Sequence, residues 1–278
     1  MSSLALNVRT WRLLFMAALM LLPGLLFAAD RHTKVPKPGE FNANDATVDM
    51  FSAIDNGQIG VKLIPKDSTQ ARVLIENKTD KPLNVKLPDA FAGVPVLAQR
   101  GGGMGGMGGG GMGGGGRGGG GGGGGQNQSM GGGMGGGGMG GGGGMFNIAP
   151  EKVGQFRVPV VCLEHGKGEP RAAVPYEIRP IESFTDKVGV RELCAMLGSG
   201  QISQRAAQAA AWHLSDDMSW EQLAAKRLRY ANGASQPYFT RQEIQAGMQI
   251  AGAAVRTAEK RKQEQSSQST SLSQQKPH

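Results

Sequence analysis

Between residues 48 and 182 apolar side chains recur at every second position in short runs; beyond residue 182 the spacing changes to three and four. The first period belongs to strands with one buried face, the second to helices. Ile59, Val61 and Leu63 alternate with Gly60 and Lys62, just after the turn-forming Asp55-Asn56-Gly57. Ala71, Val73 and Ile75 make a second run, and Leu83, Val85 and Leu87 a third, with Asn77-Lys78-Thr79-Asp80-Lys81-Pro82 between them. Two alternating runs on either side of such a connection predict a hairpin. A short strand over 94–97 follows, and Pro95 places it at an edge or a bulge. Strand spacing resumes at Phe146, continues through Phe156, Val158, Val160 and Cys162, and ends with Tyr176 and Ile178. Six or seven short strands over residues 48–182 predict an immunoglobulin-like β-sandwich.

Past residue 182, Val190, Leu193, Cys194 and Leu197 fall at i, i+3, i+4 and i+7, with Gly198 as a stop. Residues 206–214 are alanine-rich and contain Trp212. Ser219-Trp220-Glu221-Gln222 is a capping box that opens a helix to about Tyr230. Thr240-Arg241-Gln242-Glu243 is a second one, opening a helix with Ile244, Met248, Ala251, Val255 and Ala258 on one stripe. The fold class expected is therefore α+β: a β-sandwich followed by a small helical subdomain over 183–262. The tail of mainly Gln and Ser with one Lys, 263–278, is expected to be disordered.

Residues 101–144 interrupt the strands: 33 of the chain's 47 glycines lie there. Glycine has the most backbone entropy to lose and no side chain to bury, so the tract is expected to be a disordered coil that packs against nothing. Strand spacing resumes directly after it, so it reads as an insertion at a loop tip of one β-domain. Long loops cost only logarithmically in closure entropy. Met104, Met107, Met112, Met130, Met134, Met139 and Met145 make up half of the chain's 14 methionines. Thioethers suit Cu(I); incidental methionine in a spacer is the plainer reading. The tract lacks the Lys-Ser/Thr of a phosphate loop. Arg117 is its sole charge, so no nucleic-acid partner is expected.

Composition and charge add the compartment. Residues 1–29 carry Arg9 and Arg12, then an apolar run over 13–27, then Ala28 and Ala29 before the charged stretch from Asp30. That order is a secretory signal peptide, and the run is short of the roughly 20 residues a bilayer span needs. The expectation is an exported protein, periplasmic, surface-bound or extracellular, with no permanent membrane span after cleavage. Residues 30–47, with Pro36 and Pro38, read as a linker. Loss of Arg9 and Arg12 takes the formal charge from +8 to +6. A mild positive excess favours acidic surfaces, so the partners in view are an envelope protein or an anionic polymer.

Candidate chemistry is sparse. Cys162 and Cys194, in an exported chain, are first a disulfide pair, worth about 3 kcal/mol for a loop of about 30 residues. Buried free thiols are the alternative. Cys162, His165, Cys194 and His213 together could furnish a tetrahedral zinc site if the fold converged them. Cys162 could act as a nucleophile with His165 as base only if the chain turned back after the strand. Glu164, His165 and Lys167 belong to a polar loop, 164–169, directly after a buried strand, which suits a functional loop and an ordinary turn alike. Asn77-Lys78-Thr79 matches a glycosylation sequon. No Gly-x-Ser-x-Gly, His-Glu-x-x-His or Ser-x-x-Lys set is present, and no cofactor is implied. These features favour an exported, non-enzymatic binding or structural protein. A zinc- or copper-binding protein and a Cys-dependent enzyme are the alternatives.

The run Phe156-Arg157-Val158-Pro159-Val160-Val161-Cys162-Leu163-Glu164-His165-Gly166-Lys167, followed by Ala207-Gln208-Ala209-Ala210-Ala211-Trp212-His213-Leu214, resembles a group of uncharacterised secreted bacterial proteins. The resemblance covers roughly residues 150–250. It implies a shared architecture and brings no activity and no catalytic residue.

Overall fold

The computed structural model describes residues 39–96, 127–135 and 144–274. The expected signal peptide, half of the expected linker (30–38) and the greater part of the glycine tract lie outside them. The described strands are β1 (Ala46–Asp49), β2 (Ile59–Pro65), β3 (Gln70–Asn77), β4 (Leu83–Lys86), β5 (Phe91–Pro95), β6 (Met130–Gly132), β7 (Met145–Ile148), β8 (Val153–Cys162) and β9 (Tyr176–Pro180). Helix α1 (Met50–Asp55) separates β1 from β2. It is capped by Asp49, whose carboxylate accepts from the N–H groups of Phe51 and Ser52. Helices α2 (Ile181–Phe184), α3 (Val190–Gly198), α4 (Gln204–Asp216) and α5 (Trp220–Ala225) follow, then a ribbon of β10 (Arg227–Arg229) and β11 (Ser235–Pro237), then α6 (Arg241–Gln274). The chain is α+β as its periodicities require. No described helix is long and apolar enough to cross a membrane.

The strands do not form two open sheets. Six close into a barrel in the order β2-β3-β8-β6-β5-β9, and β1-β4-β7 form a separate three-stranded sheet. The ten-residue β8 makes the closure. Its first part pairs with β3, from Val153 opposite Glu76 to Pro159 opposite Gln70, and its last three residues pair with β6. A strand staggered past one neighbour onto another is what turns a sheet into a barrel. The seam between β2 and β9 rests on one pair, Leu63 with Tyr176.

The expected hairpin of β3 with β4 is replaced by a handover. β3 pairs with β2 and β8, while β4 pairs with β1 and β7. Asn77 explains the change: its Nδ2 donates to the carbonyls of Lys81 (2.7 Å) and Ile148 (3.0 Å), and its Oδ1 accepts from the N–H of Thr79 (2.9 Å). The turn is held open toward the small sheet rather than folded back. Asn77 is wholly buried, so the sequon that begins there is occluded in the folded chain. Barrel residues such as Ile75, Phe91 and Val160 share one core with Val85 and Phe146 of the small sheet.

The reading of residues 101–144 as wholly structureless needs correction at 127–135. β6 is a barrel strand made from the tract itself, with Met130 at 0% and Met134 at 5% exposure. Those two methionines are core residues, not a chelating pair on a spacer. Glycine is required there by contact. A Cβ on Gly133 would stand 2.4 Å from the Asp89 carbonyl oxygen and 2.5 Å from that of Cys194. One on Gly132 would meet the Phe91 ring at 2.8 Å. α3 rests directly on the bare backbone of β6.

The helices cover the β5, β6 and β8 side of the barrel. Ala90, Ala92, Val161 and Leu163 pack with Val190, Leu193, Leu197, Ala207, Ala210 and Ala254 in a second core. β8 outruns β3 at its end, and the exposed backbone is taken over by two amides one turn apart on α4. Gln204 Nε2 donates to the Val160 carbonyl (3.0 Å), and Gln208 accepts from Cys162 N–H (2.8 Å) and donates to its carbonyl (3.0 Å). Buried backbone groups demand partners, and Gln208 acts as a missing strand residue. Both capping boxes form, at Ser219 and at Thr240. α5 stops at Ala225, short of the expected Tyr230, because the chain enters the ribbon. On α6 the buried stripe is Ile244, Gly247, Ala251, Ala254 and Ala258, with Met248 exposed. A Cβ on Gly247 would lie 3.2 Å from Ala209 Cβ, so close approach to α4 selects small residues over the largest apolar ones. α6 also runs through Gln274, where 263–278 was expected to be disordered. Extending an existing helix gains one hydrogen bond per residue fixed, which here outweighs the weak helix preference of the serines at 266, 267, 269, 271 and 273.

Candidate functional site

The residues singled out by sequence do not converge. Cys162 and Cys194 are both free, buried thiols, so the expected disulfide is absent. Cys162 points into a cluster with Ala209, Trp212, Leu223, Phe239 and Ile244, whereas Cys194 packs with α3 and α4 residues against Gly131. Burial first, then Glu169 and Asp216, pushes the Cys162 thiol well above its ordinary value; burial and then Glu192 push Cys194 up to about 12. A thiol that does not ionise is a poor nucleophile and a poor ligand.

The four-residue zinc set also fails to assemble. Among the described residues no three His, Cys, Asp or Glu side chains form a metal-holding group. His213 stacks on Trp220 with centroids 4.2 Å apart, and its Nδ1 lies 2.8 Å from the Met218 carbonyl oxygen. His165 sets its ring against the neighbouring Trp212 at 4.8 Å and 82°. Successive helical residues diverge by about 100°, so Trp212 and His213 carry their partners to different sides of α4.

The 164–169 loop is an anchored junction. The Glu164 carboxylate accepts from Ser129 N–H (2.8 Å) and is paired with Lys167. Burial raises its pKa, but those two contacts outweigh burial and hold it below the usual value. Gln128 N–H donates to Gly168 (2.9 Å), and the Tyr176 hydroxyl donates to the Gln128 carbonyl (2.8 Å). His165 N–H donates to Asp216 Oδ1 (2.9 Å). The loop thus clamps the chain just before β6 to the end of α4. On its outer side Lys226 Nζ lies 2.8 Å from His165 Nε2 and 5.2 Å from the ring centroids of both Trp212 and Tyr238. Lys226 and Tyr238 were not singled out by the sequence; no local motif marks them.

A second feature lies on the barrel wall that the helices leave bare. A groove of about 460 Å³ runs across β2, β3 and β8, lined by Ile64, Lys66, Gln70, Arg72, Gln155 and Arg157 among others. Arg72 and Arg157 stand directly opposite one another on adjacent strands, and Lys62 lies on the same outer face, across from Leu74. Neither arginine has an ion-pair or hydrogen-bond partner among the described residues. Like charges directly opposite destabilise a sheet. The alternation places Arg72 and Arg157 outward, but only the register makes them neighbours. No family model, curated protein or solved structure matches this chain.

Proposed function

We propose that this chain is an exported, non-enzymatic binding protein whose ligand is an anionic polymer held on the bare barrel wall. One observation carries the reading: the facing Arg72 and Arg157, without an ion-pair partner among the described residues, in a groove that also holds Lys66. Two guanidiniums side by side offer planar forks to carboxylate or phosphate groups. A bound polyanion removes their mutual repulsion. The signal-like residues 1–29 and the positive charge left after their removal support the same reading. The inert, buried thiols remove the support for a cysteine-dependent activity. From the immunoglobulin-like expectation we keep only that two β layers share one core, which the mixing of Val85 and Phe146 with barrel residues supports.

The test is binding of fluorescently labelled polygalacturonate and polyphosphate to the mature protein at low salt, with their relative affinity identifying the anionic group. The double variant Arg72→Glu/Arg157→Glu should lose about a hundredfold in affinity, about 2.7 kcal/mol. Arg227→Glu/Arg229→Glu on the β10–β11 ribbon should lose little. Binding should weaken steeply with salt. Failure of the native protein to bind either polymer, or equal losses in both double variants, overturns the reading.

A further inference from the structure

Lys226 and His165 form an unusual pair, independent of the groove. Lys226 ends α5, and its carbonyl accepts from Tyr238 N–H at 2.8 Å. Its Nζ meets His165 Nε2 at 2.8 Å and lies over two aromatic rings. It makes no ion pair with a carboxylate among the described residues. The His165 backbone N–H is bonded to Asp216, which anchors the loop, and its ring is set edge-on to Trp212. Both side chains are partly exposed.

Two nitrogen bases at hydrogen-bond distance cannot both be protonated without strong repulsion. One must present a lone pair to the other. The surroundings weigh further on the ammonium, since Trp212 and Tyr238 displace water from it. Burial holds Lys226 below the usual lysine value, with Glu169 pulling the other way; burial and then Lys226 hold His165 low, with Asp216 opposing. The remaining charge facing the cluster is Arg205, whose guanidinium sits 4.9 Å from the Tyr238 centroid. A lysine desolvated by apolar surroundings is a known environment of an amine nucleophile.

We propose that Lys226 is a carbonyl-reactive amine, with His165 as its proton partner, that condenses with the aldehyde or ketone group of a small ligand. The Nζ lone pair attacks the carbonyl carbon, the C=O π pair moves to oxygen, and that oxygen takes a proton to give a carbinolamine. His165 Nε2 accepts the first proton that leaves nitrogen. The hydroxyl departs as water, taking a proton, while the nitrogen lone pair forms C=N, and the second N–H proton then leaves the iminium through His165, so oxygen gains the two protons that nitrogen loses. The balance is amine plus carbonyl to imine plus water, with no oxidant or reductant consumed.

The test traps the imine on the native mature protein with propanal and sodium cyanoborohydride at pH 7, and maps the alkylated lysines by mass spectrometry. A lysine held below its ordinary value carries more free amine at pH 7, so Lys226 should be labelled several-fold faster than the exposed Lys62 and Lys66. Its rate should also level off at a lower pH than theirs. His165→Phe keeps the ring against Trp212 but removes the acceptor, and should slow the labelling of Lys226 several-fold while the burial against Trp212 and Tyr238 keeps it above the exposed lysines. Should that variant fold poorly, the wild-type pH profile decides alone. Labelling of Lys226 at or below the rate of Lys62 and Lys66, with the same pH profile, overturns the proposal.

Discussion

Gly133→Ala separates a packed strand extension from a loose coil, because the two predict opposite signs. In a coil, replacing glycine by alanine reduces the freedom of the unfolded chain and stabilises by about 0.4–1 kcal/mol. In this structure the new Cβ would lie 2.4 Å from Asp89 O, 2.5 Å from Cys194 O and 3.0 Å from Gly198 Cα. All three are backbone atoms, so no side-chain rotation relieves the clash. Either α3 or the segment after β6 has to move. Overpacking of a tight interior costs about 1–3 kcal/mol, and the absence of a flexible neighbour puts this case at about 3 kcal/mol. Gly135→Ala is the internal control: its nearest contact is Asp89 Oδ1 at 3.3 Å, at the end of an exposed side chain. It should change stability by less than about 0.5 kcal/mol, as an ordinary surface substitution does. With a urea m-value of about 2 kcal/mol/M, Gly133→Ala should lower the unfolding midpoint by about 1.5 M and Gly135→Ala by almost nothing. A midpoint for Gly133→Ala at or above that of the wild type would refute the packing of α3 on this segment.

Gln208→Leu should cost about 3 kcal/mol in the same assay, because it leaves the buried Cys162 N–H and carbonyl unpaired; a loss below about 1 kcal/mol would mean that β8 finds another partner. Native protein should resist thiol reagents and expose two reactive cysteines only on unfolding; a mass two hydrogens lower without reductant would restore the disulfide. Stability should fall as pH drops from about 7 toward 5, since the folded chain holds His165 neutral while the unfolded chain protonates it near pH 6.5. The contribution is present above the unfolded value and lost as pH falls through it toward the lowered folded one, so a His165→Phe variant should show a shallower acid loss; equal slopes would refute it.

Local spacing was enough to place most elements. The alternation at Ile59 to Leu63, Ala71 to Ile75 and Phe156 to Cys162 appears as β2, β3 and β8, and the stripe at Val190, Leu193, Cys194 and Leu197 as α3. The capping boxes at Ser219 and Thr240 form because their partners lie three residues apart, within the reach of one helical turn. These signals depend on neighbours in the chain, and the chain carries them whole.

What depends on distant neighbours was decided only by the tertiary structure. Alternation says which face of a strand is buried but not which strand lies beside it, so sandwich and barrel look alike until β8 is seen to step from β3 to β6. Glycine composition says that a segment can be loose, not that it must be. Residues 130–133 are ordered because α3 presses on the backbone where any side chain would collide. The two cysteines, alike in sequence, are directed into different clusters by a strand and a helix. The facing of Arg72 on Arg157 is a consequence of register, and the meeting of Lys226 with His165 a consequence of docking α5 beside the barrel's end. Periodicity encodes exposure residue by residue; pairing across tens of residues is set by which packing satisfies every buried backbone group at once.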